Sequence, residues 1–262
     1  MQWGQNGVTA ASQGGWPFLD WPQPIPVAHR GGAAERPENT MPAFAAAVAL
    51  GYRYVETDVH ATADGTLLVF HDHSLDRVTD MHGDVGGLTY AAVRKARVGG
   101  EPIPLLEDVL GTWPELRVHI DAKHDLAVPA LAAAIQRTGA QDRVCIGSFS
   151  DRRVAALRRV TAGRVCTWMG RREILTLRLA SLHVPVPRSP AGCTQVPVRQ
   201  GRLPLVDRRF VETAHRRGVG VHVWTIDDAA EMRRLLDLGV DGILSDRPTV
   251  LKEVFQERGI WV

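Results

Sequence analysis

Several features that would mark a specialised class of protein are missing from this sequence of 262 residues. No apolar run approaches the ~18 residues that a membrane-spanning helix needs. The N-terminus lacks the charged and apolar regions of a secretion signal, and the formal net charge of +2 is too small to indicate a nucleic-acid or membrane partner. We therefore expect a cytoplasmic protein without nucleic acid or stable membrane insertion; the oligomeric state is not indicated.

Cysteine is scarce. The three cysteines, Cys145, Cys166 and Cys193, are odd in number and far apart in sequence. This pattern predicts buried free thiols in a reducing compartment, not a disulfide framework or a zinc site. Arginine, in contrast, occurs in pairs such as Arg171-Arg172 beside apolar residues, which is typical of solvated helix faces.

Three common catalytic motifs are also absent. The sequence has no glycine-rich loop with a lysine for a nucleotide phosphate, no dinucleotide-binding fingerprint after the first predicted strand, and no Gly-x-Ser-x-Gly elbow. These absences exclude a P-loop nucleotide site, a Rossmann-type cofactor site and an α/β-hydrolase serine.

The chain alternates between strand and helix patterns for most of its length, and its 45% hydrophobic and 23% charged residues are an ordinary globular mixture. Alternation predicts a parallel α/β fold, and eight such units in ~260 residues predict a (β/α)8 TIM barrel. We expect an N-terminal extension at 1–24, loosely structured over its first ~15 residues, and one catalytic barrel domain at 25–262. The eight predicted barrel strands are 25–28, 54–59, 116–122, 144–149, 165–169, 195–198, 219–225 and 242–245.

The pattern of residues 54–73 predicts a hairpin whose first strand carries carboxylates on one face. Glu56 and Asp58 are two apart, so both side chains leave the strand on the same side, opposite Val55, Thr57 and Val59. A two-residue turn at Asp64-Gly65 would pair Asp58 with His71. Beyond it, residues 72–103 contain no long periodic element, which predicts a small capping insertion.

Polar side chains fall at the predicted carboxyl ends of the strands, where a barrel carries its active site. Taken singly, His29 suits a structural role, Asp246 a helix cap and Trp224 the core; their joint placement indicates a site. Carboxylates without cysteine favour Mg²⁺ or Ca²⁺ over zinc. Arg30 and Lys123 suit a phosphoryl group, and His29 and His71 suit acid and base roles. The full rim set is His29, Arg30, Glu56, Asp58, His71, Asp121, Lys123, Ser148, Trp168, Gln195, Trp224 and Asp246.

The motifs HRGG, PENT, ETDVHATADG and FHDHSLDRVT, with the tail WTIDD and GVDGILSDRP, together resemble the glycerophosphodiester phosphodiesterase family over roughly residues 27–250. The resemblance implies a metal-dependent enzyme that releases glycerol 3-phosphate and an alcohol. It implies His29 and His71 as the acid/base pair, Arg30 and Lys123 as phosphate-binding residues, and Glu56, Asp58 and Asp121 as metal ligands. We expect Trp224, at the same rim, to bind substrate as well. The insertion at 72–103 would be the family's own.

One position departs from the family pattern. The third ligand is usually a glutamate two residues before the lysine, whereas here Asp121 precedes Lys123. The carboxylate is kept but is one methylene shorter, which leaves the metal preference open. Also open are a water or glycerol 2-hydroxyl nucleophile, a lysophospholipase D-like or cyclic-phosphodiester activity with Trp168 and Trp224 lining a groove, and a non-catalytic barrel.

Overall fold

The computed structural model describes residues 15–262. The prediction of a loosely structured beginning therefore falls on residues that lie almost wholly outside the described range. Within that range, eight parallel strands alternate with eight helices and form one barrel. No helix between residues 15 and 262 is long and apolar enough to cross a membrane.

The strands agree in order with the sequence prediction. They are β1 (Ile25–His29), β2 (Tyr54–Ala61), β3 (Arg117–Ala122), β4 (Val144–Gly147), β5 (Cys166–Thr167), β6 (Cys193–Pro197), β7 (Gly220–Trp224) and β8 (Gly242–Ser245). Each strand pairs with its neighbours in chain order, β1 pairs with β8, and a parallel bridge between Trp168 and Cys193 closes the gap between β5 and β6. The (β/α)8 prediction is confirmed, although β5 is shorter than expected.

One helix follows each strand along the chain, after the insertion in the case of the second. They are α1 (Met41–Ala49), α2 (Leu106–Thr112), α3 (Ala127–Thr138), α4 (Asp151–Val160), α5 (Arg171–Ser181), α6 (Arg208–Arg216), α7 (Ala229–Leu238) and α8 (Pro248–Glu257). The start of α1 has the expected chemistry: the Thr40 side chain accepts a hydrogen bond from the Ala43 amide, and Pro42 lies in the first turn.

Side chains alternate along each strand between the layer beneath the helices and the interior of the barrel. Val55 and Val59 of β2 pack outward into the apolar layer beneath the helices, whereas Tyr54 belongs to a separate cluster inside the barrel. Residues 17–19 form a short 3-10 helix, and their Phe18 and Leu19 are buried in this inner cluster. The segment before β1 therefore closes the end of the barrel opposite the carboxyl ends of the strands.

The hairpin register differs from the prediction by one residue. Strand Leu67–Val69 pairs with β2 so that Val59 faces Val69, and the Phe70 amide donates to the Asp58 carbonyl. The predicted pairing of Asp58 with His71 is therefore wrong. The loop contains three residues, Ala63, Asp64 and Gly65, and Gly65 has a φ of +82°. A three-residue loop that ends in a left-handed glycine shifts the register relative to a two-residue turn.

The segment 72–103 forms a small cap with its own apolar cluster. It contains a 3-10 helix at Val85–Gly87, a four-residue helix at Tyr90–Val93 and a two-stranded ribbon at Arg97–Val98 and Glu101–Pro102. Leu68 and Phe70 of the hairpin pack into the cluster. The cap is thus joined to the hairpin that leads to His71.

Candidate active site

The carboxyl ends of the strands surround a cavity of about 230 Å³. All eight residues predicted for catalysis, substrate and metal contribute to its wall, and Phe149, Gln195, Thr225 and Leu244 complete it. The predicted residues in the wall are His29, Arg30, Glu56, Asp58, His71, Asp121, Lys123 and Trp224.

Each of the two histidines is held by an aspartate. His29 Nδ1 lies 2.6 Å from Asp246 Oδ1, and His71 Nδ1 lies 2.6 Å from Asp72 Oδ1. A carboxylate on Nδ1 fixes the orientation of the ring and leaves Nε2 for a reacting group. Burial opposes protonation of His29, but the charge of Glu56 and the bond to Asp246 outweigh it and raise the pKa of His29.

His71 reaches the cavity although the hairpin register was predicted wrongly. The paired strand ends at Val69, so the orientation of His71 does not follow the strand's alternation. Its backbone carbonyl is instead hydrogen-bonded to His60 Nε2 at 3.0 Å. This contact fixes the chain just beyond the strand and directs His71 toward the site.

Asp58 is the most heavily paired carboxylate of the site. Lys123 Nζ lies 2.8 Å and Arg30 Nε 3.2 Å from its two oxygens, and the Asn39 amide donates to Oδ2 at 3.1 Å. Burial works against ionisation, but the Lys123 and Arg30 charges dominate and hold the pKa of Asp58 below its usual value. Asp58 is therefore a fixed anion.

Glu56 and Asp121 have fewer partners. Burial and the charge of Asp58 raise the pKa of Glu56 to about 7. Burial also raises the pKa of Asp121, whose Oδ2 accepts from Lys123 at 2.7 Å, while its buried Oδ1 has no hydrogen-bond partner within residues 15–262. A buried carboxylate oxygen without a partner is costly. This wall of the cavity is therefore short of positive charge.

These observations fit a hard divalent ion. An unpartnered carboxylate oxygen and a glutamate with a raised pKa are both relieved by a cation that oxygen ligands prefer. The Lys123 ammonium bridges Asp58 and Asp121 and supplies one positive charge there. The carboxylates Glu56, Asp58 and Asp121 are the residues that would hold the ion.

Some roles differ from the sequence expectation. Asp246 does not cap α8; its carboxylate binds His29. Trp168 is buried inside the barrel against Gly147, so it lines no groove at the rim. Ser148 is also buried, donates to the Ala122 carbonyl and does not line the cavity.

Sequence reasoning missed three contributors. Asn39, in the PENT motif, connects Thr57 to Asp58 through its two amide atoms. Asp72 follows His71 directly, and this adjacency was a usable signal. Phe149, which follows β4, forms an edge-on contact with Trp224 at 5.5 Å and carries the Lys123 ammonium 5.7 Å from its ring centre.

Comparison with known proteins identifies the family to which the chain belongs. Residues 29–250 match the glycerophosphoryl diester phosphodiesterase family. A probable glycerophosphodiester phosphodiesterase 2 from Mycobacterium tuberculosis is 40% identical over 95% of this chain and 98% of its own length. A lysophospholipase D from Rattus norvegicus is 26% identical over 87% of this chain and 84% of its own.

A solved structure of a glycerophosphodiester phosphodiesterase from Agrobacterium tumefaciens has a TM-score of 0.73 and 28% identity, and the alignment covers 87% of this chain and 98% of that one. The barrel, the matched range and the 40% identical relative lead to one conclusion. The chain is an enzyme of the glycerophosphoryl diester phosphodiesterase family.

Proposed function

We propose that this enzyme hydrolyses water-soluble glycerophosphodiesters to glycerol 3-phosphate and an alcohol by two-histidine acid/base catalysis with a divalent metal. The observation that carries the proposal is the pair of Asp-held histidines on one cavity. His29–Asp246 and His71–Asp72 have the same 2.6 Å contact and the same Nδ1 geometry. Two oriented imidazoles supply the base and the acid that displacement at phosphorus requires.

The reaction breaks the bond between phosphorus and the leaving oxygen. One histidine takes the proton of the nucleophile, either water or the glycerol 2-hydroxyl, as it forms the new P–O bond. The other gives a proton to the departing alkoxide. With water the products are glycerol 3-phosphate and the alcohol directly; with the 2-hydroxyl a cyclic phosphate forms first and is opened by water.

Cations of the wall receive the phosphate. Arg30 is held by Glu38 at 3.0 Å as well as by Asp58, so its guanidinium is oriented before substrate arrives. Lys123 is held from two sides in the same way. Preorganised positive charge stabilises the developing charge on the phosphoryl oxygens without reorganisation during the step. When bound by Glu56, Asp58 and Asp121, Mg²⁺ or Ca²⁺ adds Lewis-acid stabilisation of that charge.

A lysophospholipase D-like activity is the second candidate, since the relative from Rattus norvegicus has that name. A lipid substrate needs an apolar channel next to the reacting centre. The groove beyond Phe149 is lined instead by Asp151, Arg152, Arg171 and Arg172 with Ser150. This polar lining favours a hydrophilic leaving group over an acyl chain.

The test is release of the alcohol from glycerophosphocholine, glycerophosphoethanolamine and glycerophosphoglycerol, with choline release from lysophosphatidylcholine measured in parallel. We expect turnover of the soluble diesters and a loss of about 10²–10⁴-fold in His29→Ala and His71→Ala. His82→Ala is the matched control, because His82 lies in the cap with an 86% exposed side chain. Undiminished activity in either site variant contradicts the histidine roles, and faster turnover of the lysolipid favours the second candidate.

A further inference from the structure

A second polar cluster lies inside the barrel, away from the cavity wall. His119 of β3, Cys193 of β6 and His222 of β7 each have 0% exposure. One ligand atom from each lies within 4.8 Å of the others, and among residues 15–262 they are the one set of three or more His, Cys, Asp or Glu side chains that close together. The three side chains come from three strands and are separated by 74 and 29 positions in sequence.

The spacing fits a shared cation. His119 Nε2 lies 3.2 Å from His222 Nδ1. Two nitrogen ligands at ~2.0–2.1 Å from a tetrahedral zinc ion are about 3.3 Å apart. The Cys145 sulfur lies 3.8 Å from the Cys193 sulfur, but it is not within 4.8 Å of the ligand atoms of all three residues, so Cys145 stands outside the set.

Gln195 supports His119 on the side of the ring away from His222. His119 Nδ1 lies 2.8 Å from the side-chain amide nitrogen of Gln195. A metal-bound histidine donates its far N–H to an acceptor, so with an ion at Nε2 the Gln195 amide turns its oxygen toward Nδ1.

We propose that His119, Cys193 and His222 bind Zn²⁺. The donor set is borderline-soft, which selects zinc rather than the Mg²⁺ or Ca²⁺ proposed for the carboxylate wall. The Cys193 thiol gives up its proton on binding, so one proton is released. The site is structural and does not depend on the proposed function, because none of these three residues lines the catalytic cavity.

Cobalt substitution tests the proposal, because a cysteine-ligated Co²⁺ gives a near-ultraviolet thiolate-to-cobalt absorption band that oxygen ligands cannot give. The full-length protein is produced in minimal medium with Co²⁺, so that a buried site is filled during folding. We expect the band in the unsubstituted protein and its loss in Cys193→Ser.

Two variants serve as matched controls. Cys166→Ser changes the third buried thiol, which is outside the set, and Asp58→Asn changes the carboxylate wall; both should keep the band. Absence of the band in the unsubstituted protein overturns the proposal, and so does an equal band in folded Cys193→Ser.

Cys193 is fully buried, so a second measurement avoids any folding defect. X-ray absorption at the zinc edge of the unsubstituted, zinc-loaded protein should show sulfur at ~2.3 Å together with nitrogen neighbours. A shell of oxygen and nitrogen alone contradicts the assignment.

Discussion

The interior of this barrel contains two polar clusters at successive levels. Along each strand, the residue of one cluster lies two positions after the residue of the other. Asp121 is two positions after His119 on β3, Gln195 is two after Cys193 on β6, and Trp224 is two after His222 on β7. Because alternate residues of a strand point to the same side, each pair faces the interior at successive levels. The upper level, which contains Asp121, Gln195 and Trp224, lines the open active-site cavity. The lower level, which contains His119, Cys193 and His222, is closed off from solvent.

The two levels differ in which side chains are charged, because one level is open to the cavity and the other is buried deep in the barrel. At the upper level Asp58, Arg30 and Lys123 stay charged because each has an opposite charge beside it. At the lower level Phe18 packs edge-on against His119 with 4.7 Å between the ring centres, and no carboxylate of the described part of the chain forms an ion pair with this imidazole. Neutral imidazole and thiol remain, and these are ligands of softer metals. The upper level thus suits the phosphoryl group of the proposed substrate, and the lower level suits the structural ion that we propose.

Removing a charge from the upper level should have the largest effect. Asp58→Asn leaves Lys123 and Arg30 without their shared anion and removes a proposed metal ligand, so we expect glycerol 3-phosphate release to fall by about 10³-fold. Steady-state kinetics with saturating Mg²⁺ measures this. Activity within tenfold of the unsubstituted enzyme would show that the upper level does not carry the reaction. Asp80→Asn, an exposed cap position, is the control.

Removing the Phe18 side chain, which covers the lower level, should lower the stability of the protein and leave its activity unchanged. Phe18 is 1% exposed and packs against both Tyr54 and His119. We expect Phe18→Ala to lower the free energy of unfolding by about 3–5 kcal/mol, measured by denaturant titration, while the folded fraction keeps its kcat. A large loss of kcat in folded protein would mean that the two levels are coupled.

Removing the carboxylate that orients His29 should reduce activity less than removing a charge of the cavity wall. Asp246→Ala removes the carboxylate that orients His29, and we expect about a 10²-fold loss in kcat with little change in KM. Asp246→Asn keeps a hydrogen bond and should lose less activity than the alanine variant. Equal losses in both variants, with a matching rise in KM, would point to a general structural defect.

The smallest effect lies outside both clusters. The hydrogen bond to Asp241 raises the pKa of His215, which is otherwise partly buried. A raised folded-state pKa adds stability that is complete below the unfolded value of about 6.5 and is lost as pH rises through the folded value. The side chain is 40% exposed, so screening limits the gain to about 0.5 kcal/mol. His215→Gln should therefore destabilise the protein more at about pH 5.5 than at about pH 9; an equal cost at both refutes this.

The sequence predicted the upper level better than the lower one. Strand alternation and strand ends placed Glu56, Asp58 and Asp121 at one rim, because both rules depend on local pattern alone. The hairpin register failed because a three-residue loop and a two-residue turn read alike in sequence, and the left-handed Gly65 decides between them. Asp246 is predicted at the rim but taken singly suggests a helix cap, because its contact with His29 spans 217 positions and no local pattern indicates it.

The sequence does not predict the cluster of the lower level, again because its contacts join residues far apart in the chain. His119, Cys193 and His222 lack the short spacing that marks metal sites in sequence, and the sequence rule for scattered cysteines predicted inert thiols. All three are indeed buried and free. Only the closure of β5 onto β6 brings Cys193 round to face Cys145, and that closure is a tertiary event. No local pattern encodes which interior side chains then meet.

The central claim is that the upper level performs hydrolysis with a hard divalent ion. The most direct measurement is glycerol 3-phosphate release from glycerophosphocholine by the full-length enzyme after treatment with a chelator, before and after Mg²⁺ or Ca²⁺ is added, with Cys193→Ser in parallel. We predict loss of activity on chelation and recovery with the added ion in both proteins. Full activity in the presence of chelator, or recovery with Zn²⁺ alone, would contradict the account.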